Sequence, residues 1–253
     1  MTTLLESDEP AAVETLRPEG RSPIMLVCDH ASNRVPRRLG TLGLGPDDLA
    51  SHIAWDPGAA IVARRLSELL DAPLVLAGYS RLVIDCNRPL ISPQSIAEQS
   101  AGVVVPGNRG LSADDRASRV DALFHPYQDT IAALLAARGP RTTTLLAIHS
   151  FTPVLAGQAR PWPIAVAHGR DRQLADSLIA GLRRTGDFLI GDNEPYSIGR
   201  EYDYTIPIHG EDRGLPCAMI EIRQDGLTTT TNAMIWADRL AAALVHTQKP
   251  SPA

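Results

Sequence analysis

Apolar residues along this chain fall into two patterns, short continuous runs and longer stretches in which they recur at helical spacing. The short runs predict buried strands at 24–29, 74–77, 82–84, 145–148, 164–167, 188–190 and 217–222. The periodic stretches predict helices at 57–70, 112–137, 172–184 and 230–246. Because strands and helices alternate without a separating linker, the chain is predicted to form a single α/β domain over residues 1–253.

The composition is that of a soluble globular protein that acts on small molecules. Apolar residues make up 44% and charged residues 21% of the 253 positions, which excludes a disordered or fibrous chain. The formal net charge of -5 gives no general electrostatic reason to bind nucleic acid. No repeat or coiled-coil pattern is visible, so we expect a monomer or a small homo-oligomer.

Nothing in the sequence indicates a membrane or an oxidising compartment. No apolar run reaches the roughly 18 residues of a transmembrane helix, and the acidic start at 1–20 does not resemble a signal peptide. Cys28, Cys86 and Cys217 are too few for a disulfide framework and are predicted to be reduced core residues. We therefore expect a cytoplasmic protein, with flexible tails at 1–20 and 248–253.

Two histidines and an aspartate occupy positions at which α/β folds present functional side chains. His30 and His149 each end an apolar run, and Asp56 precedes a predicted helix. Open α/β sheets bind ligands at the carboxyl ends of their strands. Three histidine or carboxylate ligands with one open position are typical of catalytic zinc, so Zn²⁺ is predicted here, although these ligands also accept other first-row divalent ions. Taken singly, each residue has a structural interpretation, such as an N-cap for Asp56.

A carboxylate within the last predicted strand supplies a candidate general base. Glu221 and Arg223 alternate on one face of an otherwise apolar run, where an unpaired charge is costly to bury. One interpretation is an internal ion pair between them. The other makes Glu221 the residue that takes a proton from water and delivers it to the leaving nitrogen, with Arg223 available to the substrate.

A second polar cluster surrounds the run predicted as a strand at 82–84. Arg81 precedes this run, and Asn87 and Arg88 follow it. Guanidinium and amide donors match the geometry of a carboxylate. The cluster therefore predicts a site for an anionic group of the substrate, with Asp85 holding one arginine in place; surface charges are the plainer alternative.

The polar stretch at 191–214 is too long for a simple connection, which indicates a functional loop. We expect a lid whose Tyr204, Thr205 or His209 touches the substrate, the alternative being an ordinary surface loop. His168 and Arg170, at the end of another predicted strand, are further candidates for the same site.

Five segments carry these residues in the order Cys28–Pro36, Trp55–Ala59, Ser80–Pro89, Ile148–Pro153 and Ile220–Asp225. Together they resemble the N-formylglutamate amidohydrolases, and the resemblance extends over nearly the whole chain. It implies a three-layer α/β/α fold with a mixed, mainly parallel central sheet of the phosphorylase/hydrolase-like type.

The resemblance also implies a role for each candidate residue. It implies zinc ligation by the two histidines and Asp56, catalysis by Glu221, and binding of the substrate carboxylate by Arg81, Asn87 and Arg88. The implied activity is hydrolysis of a linear amide on an N-acyl amino acid, with N-formyl-L-glutamate as the expected substrate.

The acidic metal ligand has an alternative in the sequence. Carboxypeptidases and aspartoacylases of similar fold place it three residues after the first histidine, where this chain has Asn33, a poor zinc ligand. Cell-wall amidases of related architecture take it from the start of the first helix, which corresponds to Asp56. Asp56 is therefore preferred, with His52 as a minor alternative.

Two other functions stay open at this point. The same machinery can act on another N-acyl amino acid or a peptide-like amide. A metal-free protein that binds dicarboxylates without hydrolysis is less favoured, because it has no need of His30, Asp56, His149 and Glu221 together.

Overall fold

Seven strands form the central sheet of the computed structural model, which describes residues 3–247. They are β1 (Val13–Leu16), β2 (Ile24–Cys28), β3 (Leu74–Ala77), β4 (Thr144–Phe151), β5 (Ile164–Ala167), β6 (Ile190–Asp192) and β7 (Cys217–Arg223). Their order across the sheet is β1-β3-β2-β4-β7-β5-β6. The pairs β1 with β3 and β7 with β5 are antiparallel, and the other four are parallel. The predicted mixed, mainly parallel sheet is confirmed.

Helices cover both faces of this sheet. They are α1 (Pro46–Ala50), α2 (Ala59–Leu70), α3 (Ala113–Arg119), α4 (His125–Ala137), α5 (Arg172–Arg183) and α6 (Thr230–Thr247). Helices α2, α5 and α6 pack on one face and α4 on the other, which gives the predicted three layers. Short 3-10 or π-helical turns lie at Arg37–Leu39, Pro106–Asn108, Val120–Phe124, Ile206–Gly210, Glu211–Arg213 and Gln224–Leu227. Within residues 3–247, no helix is long and apolar enough to cross a bilayer.

The continuous apolar runs are explained by burial on both faces of the sheet. In β2, Leu26 and Cys28 join the core under α2, α5 and α6, whereas Met25 and Val27 join the core under α4. Successive side chains of a strand point to opposite faces, so a strand between two helical layers needs an apolar residue at every position. Cys28, like Cys86 and Cys217, is buried and free, as predicted.

The structure corrects several sequence predictions at the edges of elements. Residues 13–16 are not a flexible tail but the edge strand β1, paired with β3; the predicted tail at 248–253 lies outside the described residues. The run at 82–84 is a buried turn rather than a strand. The stretch predicted as one helix at 112–137 forms two α-helices, α3 and α4, which are joined by the π-helical turn Val120–Phe124.

Helix α2 begins two residues later than predicted, which changes the role of Asp56. Its N-cap is Gly58, in the left-handed region with φ 82°, so Asp56 is not the N-cap. A Cβ at Gly58 would lie 2.5 Å from the Cβ of Leu227. Glycine is needed here both for the positive φ and for the close approach, and the sharp turn frees the Asp56 carboxylate from capping.

The segment that carries Arg81, Asp85, Asn87 and Arg88 is held by a buried polar network centred on Asn108. Two backbone carbonyls, of Leu82 and Ala97, accept from Asn108 Nδ2 at 2.8 and 2.7 Å. Asn108 Oδ1 accepts from Arg119 Nη1 at 2.7 Å, and burial lowers the pKa of that guanidinium to about 10.

Replacing Asn108 with alanine is expected to lower the free energy of unfolding by about 3 kcal/mol. The change leaves the Leu82 and Ala97 carbonyls and an Arg119 donor without their partner, and each buried unsatisfied group costs about 1–3 kcal/mol. Urea denaturation of the variant measures the effect, with the exposed Asn232→Ala in α6 as the matched control. A loss below about 0.5 kcal/mol, the size usual for a surface change, would contradict the expected role of this network.

Candidate metal centre and active site

Three buried side chains bring their ligand atoms together above the middle of the sheet. The Nδ1 atoms of His30 and His149 lie 3.4 and 2.9 Å from Oδ2 of Asp56. One ligand atom from each residue lies within 4.8 Å of the others, and each residue is at most 3% exposed. The three residues predicted as metal ligands therefore form one compact group, although they lie far apart in the sequence.

Each histidine uses its other ring nitrogen to contact a second carboxylate. Nε2 of His30 lies 2.8 Å from Oδ1 of Asp85, and Nε2 of His149 lies 2.8 Å from Oδ2 of Asp29. A carboxylate accepts, so in the neutral rings Nε2 carries the hydrogen and Nδ1 presents a lone pair. Lone pairs of both rings then converge on the Asp56 carboxylate, an arrangement that a divalent cation satisfies.

The residues of this group could hold a divalent cation. One ligand atom from each lies within 4.8 Å of the others, and histidine nitrogen and carboxylate oxygen are donors that zinc and other first-row ions accept.

The fold fixes the three ligands through their local backbone. His30 and Asp29 follow β2 directly. His149 lies within β4, whereas the apolar run in the sequence predicts that it lies just past the end of the strand. The amide N–H of Asp56 donates to the carbonyl of His30 at 3.0 Å. The amide N–H of Ser150 donates to Oδ2 of Asp56 at 3.2 Å. Neighbouring strands and one loop therefore set the geometry of the group.

The electrostatics of the group favour charged carboxylates and cationic histidines when no metal neutralises them. Burial raises the pKa of Asp56, but the two histidines outweigh it and hold the pKa far below its usual range. Burial likewise opposes a charged His149, yet its hydrogen bonds to Asp29 and Asp56 raise the pKa well above the ordinary value. With the histidines neutral, the carboxylates of Asp29, Asp56 and Asp85 outnumber the adjacent Arg81, and this excess of negative charge suits a divalent cation.

Replacing Asp29 with asparagine is expected to weaken zinc binding about 10- to 100-fold, the usual cost of losing a carboxylate behind a ligating histidine. The change removes the negative charge behind the His149 ring and leaves one acceptor oxygen in place of the two that contact His149 Nε2 and Thr205 Oγ1. Competition with a coloured chelator measures the affinity, and Asp187→Asn, at an exposed position, is the control. Unchanged affinity in Asp29→Asn would show that His149 needs no carboxylate to orient it.

Glu221 lies beside the ligand group without joining it. In the parallel pairing of β7 with β4, its Cα is the partner of His149. The side chain is 6% exposed, and Oε2 is buried without a hydrogen-bond partner. Burial raises the pKa of Glu221 to about 7. The alternative interpretation, an ion pair between Glu221 and Arg223, is not what the structure shows, because Arg223 pairs with Asp225 at 2.8 Å and donates to the carbonyl of Arg160.

The ligand group and Glu221 open into a cavity of about 470 Å³. Predicted substrate-binding residues that line it are Arg81, Asn87 and Arg88. Lining residues that the sequence analysis did not single out as substrate contacts include His52, Phe151, Arg160, Tyr196, Asp203 and Gln224. Three arginines, Arg81, Arg88 and Arg160, therefore lie on the cavity wall, where a guanidinium can contact an anionic ligand.

The predicted carboxylate-binding cluster is already partly engaged within the protein. Arg81 donates to Asp85 at 2.6 Å and lies 3.7 Å from Oδ1 of Asp56. Arg88 contacts the carbonyl of Tyr202 and lies 3.3 Å from Asp203. Arg81 thus extends over the ligand group, whereas Arg88 is tied to the long loop.

The side chain of Asn87 holds the same loop. Its Nδ2 donates to Asp203 at 3.1 Å, and its Oδ1 accepts from the amides of Tyr204 and Thr205 at 3.0 Å each. Asn87 therefore connects the cluster to the segment at 202–205, part of which borders the cavity.

Four residues predicted to bind the substrate do not line the cavity: Tyr204, Thr205, His209 and Arg223. The ring of Tyr204 packs on Phe124, with centroids 5.0 Å apart. His209 contacts Gln128 at 2.8 Å, and burial lowers its pKa to about 4. The predicted loop does reach the site, but through Pro195, Tyr196, Ser197, Tyr202 and Asp203.

Other candidates also lie elsewhere. His168 contacts Asp192 at 3.1 Å, and Arg170 lies 3.4 Å from Glu211, so neither borders the cavity. Asn33 donates to the carbonyl of Leu49 and is not among the grouped ligands. Asp56, and not Asn33, therefore supplies the carboxylate of the ligand group.

Comparisons with known proteins support this fold. A family model described as N-formylglutamate amidohydrolase matches residues 22–228. The crystal structure of gene product Atu2144 from Agrobacterium tumefaciens is 36% identical, with a TM-score of 0.92, covering 97% of this chain and 100% of that one. N-formylglutamate amidohydrolase from Ralstonia eutropha JMP134 is 17% identical, with a TM-score of 0.66 over 94% and 99% of the two chains, and shares the fold. Among curated proteins, none matches.

Proposed function

The chain belongs to the N-formylglutamate amidohydrolase family, and from this premise we propose that it is a zinc-dependent amidohydrolase whose substrate is N-formyl-L-glutamate. The observation that carries the proposal is the convergence of two histidine Nδ1 atoms on Asp56 beside the unpaired carboxylate of Glu221. Such a pair of features, a three-ligand metal group and a free base, is what metal-assisted amide hydrolysis requires.

In the proposed reaction, water and the formyl amide yield formate and the free amino acid. His30, Asp56 and His149 would hold the zinc ion, which when bound would act as a Lewis acid toward the amide carbonyl and water. Glu221 accepts a proton from the water at a carboxylate oxygen and delivers it to the leaving nitrogen. A carboxylate can perform both halves of this task, because it accepts a proton as a base and returns it as a carboxylic acid.

The arginines are proposed to select and orient an anionic substrate. Arg81 lies beside the ligand group, where it faces the reacting end of the substrate. Guanidinium groups bind carboxylates through paired, charge-assisted hydrogen bonds. The arginines on the cavity wall thus favour an N-acyl amino acid with free carboxylates over a neutral amide.

A substrate panel tests this proposal. We expect kcat/KM for N-formyl-L-glutamate to exceed that for N-acetyl-L-glutamate and for N-formyl-L-leucine by at least about 100-fold. Release of formate and of the free amine is measured for each compound under the same conditions. A higher kcat/KM for an N-acetyl or peptide-like amide would overturn the assigned substrate while leaving the amidohydrolase family in place.

A further inference from the structure

One arginine on the wall of the cavity has no carboxylate partner. Arg160 is 8% exposed and lines the cavity, yet among the described residues no carboxylate lies within 4.0 Å of its guanidinium. The only hydrogen bond of that guanidinium within the described residues is a long one, from Nη1 to the carbonyl of Thr152 at 3.5 Å. Because Arg160 lines the cavity, its unpaired N–H groups are available to an anionic ligand there.

The other two arginines of the cavity differ from Arg160 in this respect. Arg81 is paired with Asp85 at 2.6 Å, and Arg88 lies 3.3 Å from Asp203. Both already have internal compensation for their charge. Arg160 is the cavity arginine whose charge is left for a ligand.

The guanidinium of Arg160 is held in place by its surroundings. Its Cζ lies 5.7 Å from the ring centroid of Phe151 and 4.9 Å from that of Tyr196. The main chain of Arg160 follows the hairpin that pairs Val154–Leu155 with Gln158–Ala159, and its amide donates to the carbonyl of Pro153 at 2.9 Å. Stacking between two rings leaves the N–H edges of the planar guanidinium available for bidentate contact.

Arg160 lines the same cavity as the ligand group. His149 and Phe151 are two residues apart on β4, so their side chains lie on the same face of the strand, and the guanidinium of Arg160 lies against the Phe151 ring. The formyl carbon and the side-chain carboxylate carbon of N-formylglutamate are separated by five bonds of about 1.5 Å, which span roughly 6 Å, so the two ends of one substrate can contact different parts of this cavity.

We propose that Arg160 binds the side-chain carboxylate of the substrate and thereby makes the enzyme prefer acidic over neutral N-formyl amino acids. This assignment rests on the proposed function. It separates two carboxylate sites in the cavity, with Arg81 beside the reacting end of the substrate and Arg160 at the far end. The spacing between the ligand group and Arg160 then determines which length of substrate fits the cavity.

The test compares an acidic substrate with its neutral isostere. In Arg160→Met, which keeps apolar bulk between the two rings, kcat/KM for N-formyl-L-glutamate is expected to fall about 100-fold. The value for N-formyl-L-glutamine should change less than about threefold. Arg160→Lys, which restores the charge but not the planar fork, is expected to recover part of the loss. Arg109→Met, at an exposed position outside the cavity, is the matched control.

An equal fall for both substrates would overturn the assignment, because it would mean that Arg160 only supports the shape of the cavity. No fall for N-formyl-L-glutamate would overturn it as well.

A binding measurement separates failure of this inference from failure of the proposed function. Calorimetry on the purified full chain compares glutarate with pentanoate, which lacks one carboxylate. We expect glutarate to bind at least tenfold more tightly and Arg160→Met to remove the difference. If the wild type hydrolyses no N-formyl amino acid but this result holds, the proposed function fails and the anion site stands. If Arg160→Met leaves the preference for glutarate unchanged, or no preference exists, the anion site is overturned.

Discussion

Replacing Glu221 with glutamine is expected to lower kcat about 10²- to 10⁴-fold while leaving the metal content unchanged, the range usual for loss of a general acid or base. Glutamine keeps the size of the side chain but cannot accept and return a proton. The carboxylate of Glu221 is not among the grouped ligands, so its loss does not remove a metal ligand. Formate release and metal analysis on the same preparation measure both quantities.

Stability at two pH values is the control for this variant. In the unfolded chain a glutamate loses its proton near pH 4.5, whereas burial holds the pKa of Glu221 at about 7 in the folded, metal-free protein. The unfolded state therefore binds fewer protons between these values, and stability falls as the pH rises through this window. Glu221→Gln abolishes this penalty, so the metal-free variant should be more stable than wild type at pH 8, by on the order of 1–3 kcal/mol, and nearly equal at pH 4.

Loss of turnover together with lost stability at pH 8 would indicate a damaged fold rather than a missing base. Retained turnover would remove Glu221 from the proposed proton transfer.

Replacing Asp56 with alanine is expected to abolish both metal binding and activity. Asp56 is the carboxylate on which the Nδ1 atoms of His30 and His149 converge. Without it two histidines remain, and these are too few for the three protein ligands of a catalytic zinc site. After dialysis we expect less than about 0.1 metal ion per chain, since binding at such a site depends on the full ligand set.

The matched control for Asp56→Ala is Asn33→Ala, at the position where related enzymes place their acidic ligand. Asn33 donates to the carbonyl of Leu49 and lies outside the ligand group, so this variant should keep its metal. Metal bound at full occupancy in Asp56→Ala would exclude Asp56 as a ligand, and metal lost from Asn33→Ala alone would favour the alternative position.

The parts of the site that sequence predicts well are those fixed by strand order. His30, His149 and Glu221 follow or interrupt apolar runs, and such runs become central strands because they are buried on both faces. Side chains at the ends of neighbouring parallel strands meet at one edge of a sheet. The grouping of the ligands was predictable for that reason.

Contacts that depend on tertiary pairing were not predictable in the same way. Asp29 contacts His149 across 120 residues, and Asp85 contacts His30 across 55. Arg160 follows a surface hairpin whose composition gives no sign that it borders a cavity. The adjacency of Asp29 to His30 in the sequence was the one available signal for a second carboxylate at the site.

The errors in element prediction have physical causes. The edge strand β1 contains Glu14 and Thr15 and is only partly buried, so it lacks the apolar run of a central strand. The run at 82–84 is apolar because it is buried against a separate core that includes Phe124, not because it is a strand. A short apolar run alone does not distinguish these cases. In the long loop, sequence alone could not tell which side chains face inwards.

We expect hydrolysis of N-formyl-L-glutamate to require one metal ion bound by His30, Asp56 and His149. The deciding experiment measures metal content and formate release on one purified sample, before chelation, after chelation and again after zinc is restored. We expect about one zinc ion per chain for a single three-ligand site, formate release that chelation abolishes, and recovery on addition of zinc. Formate release that persists in fully metal-free protein, or a chain that binds no metal when zinc is supplied, would contradict this expectation.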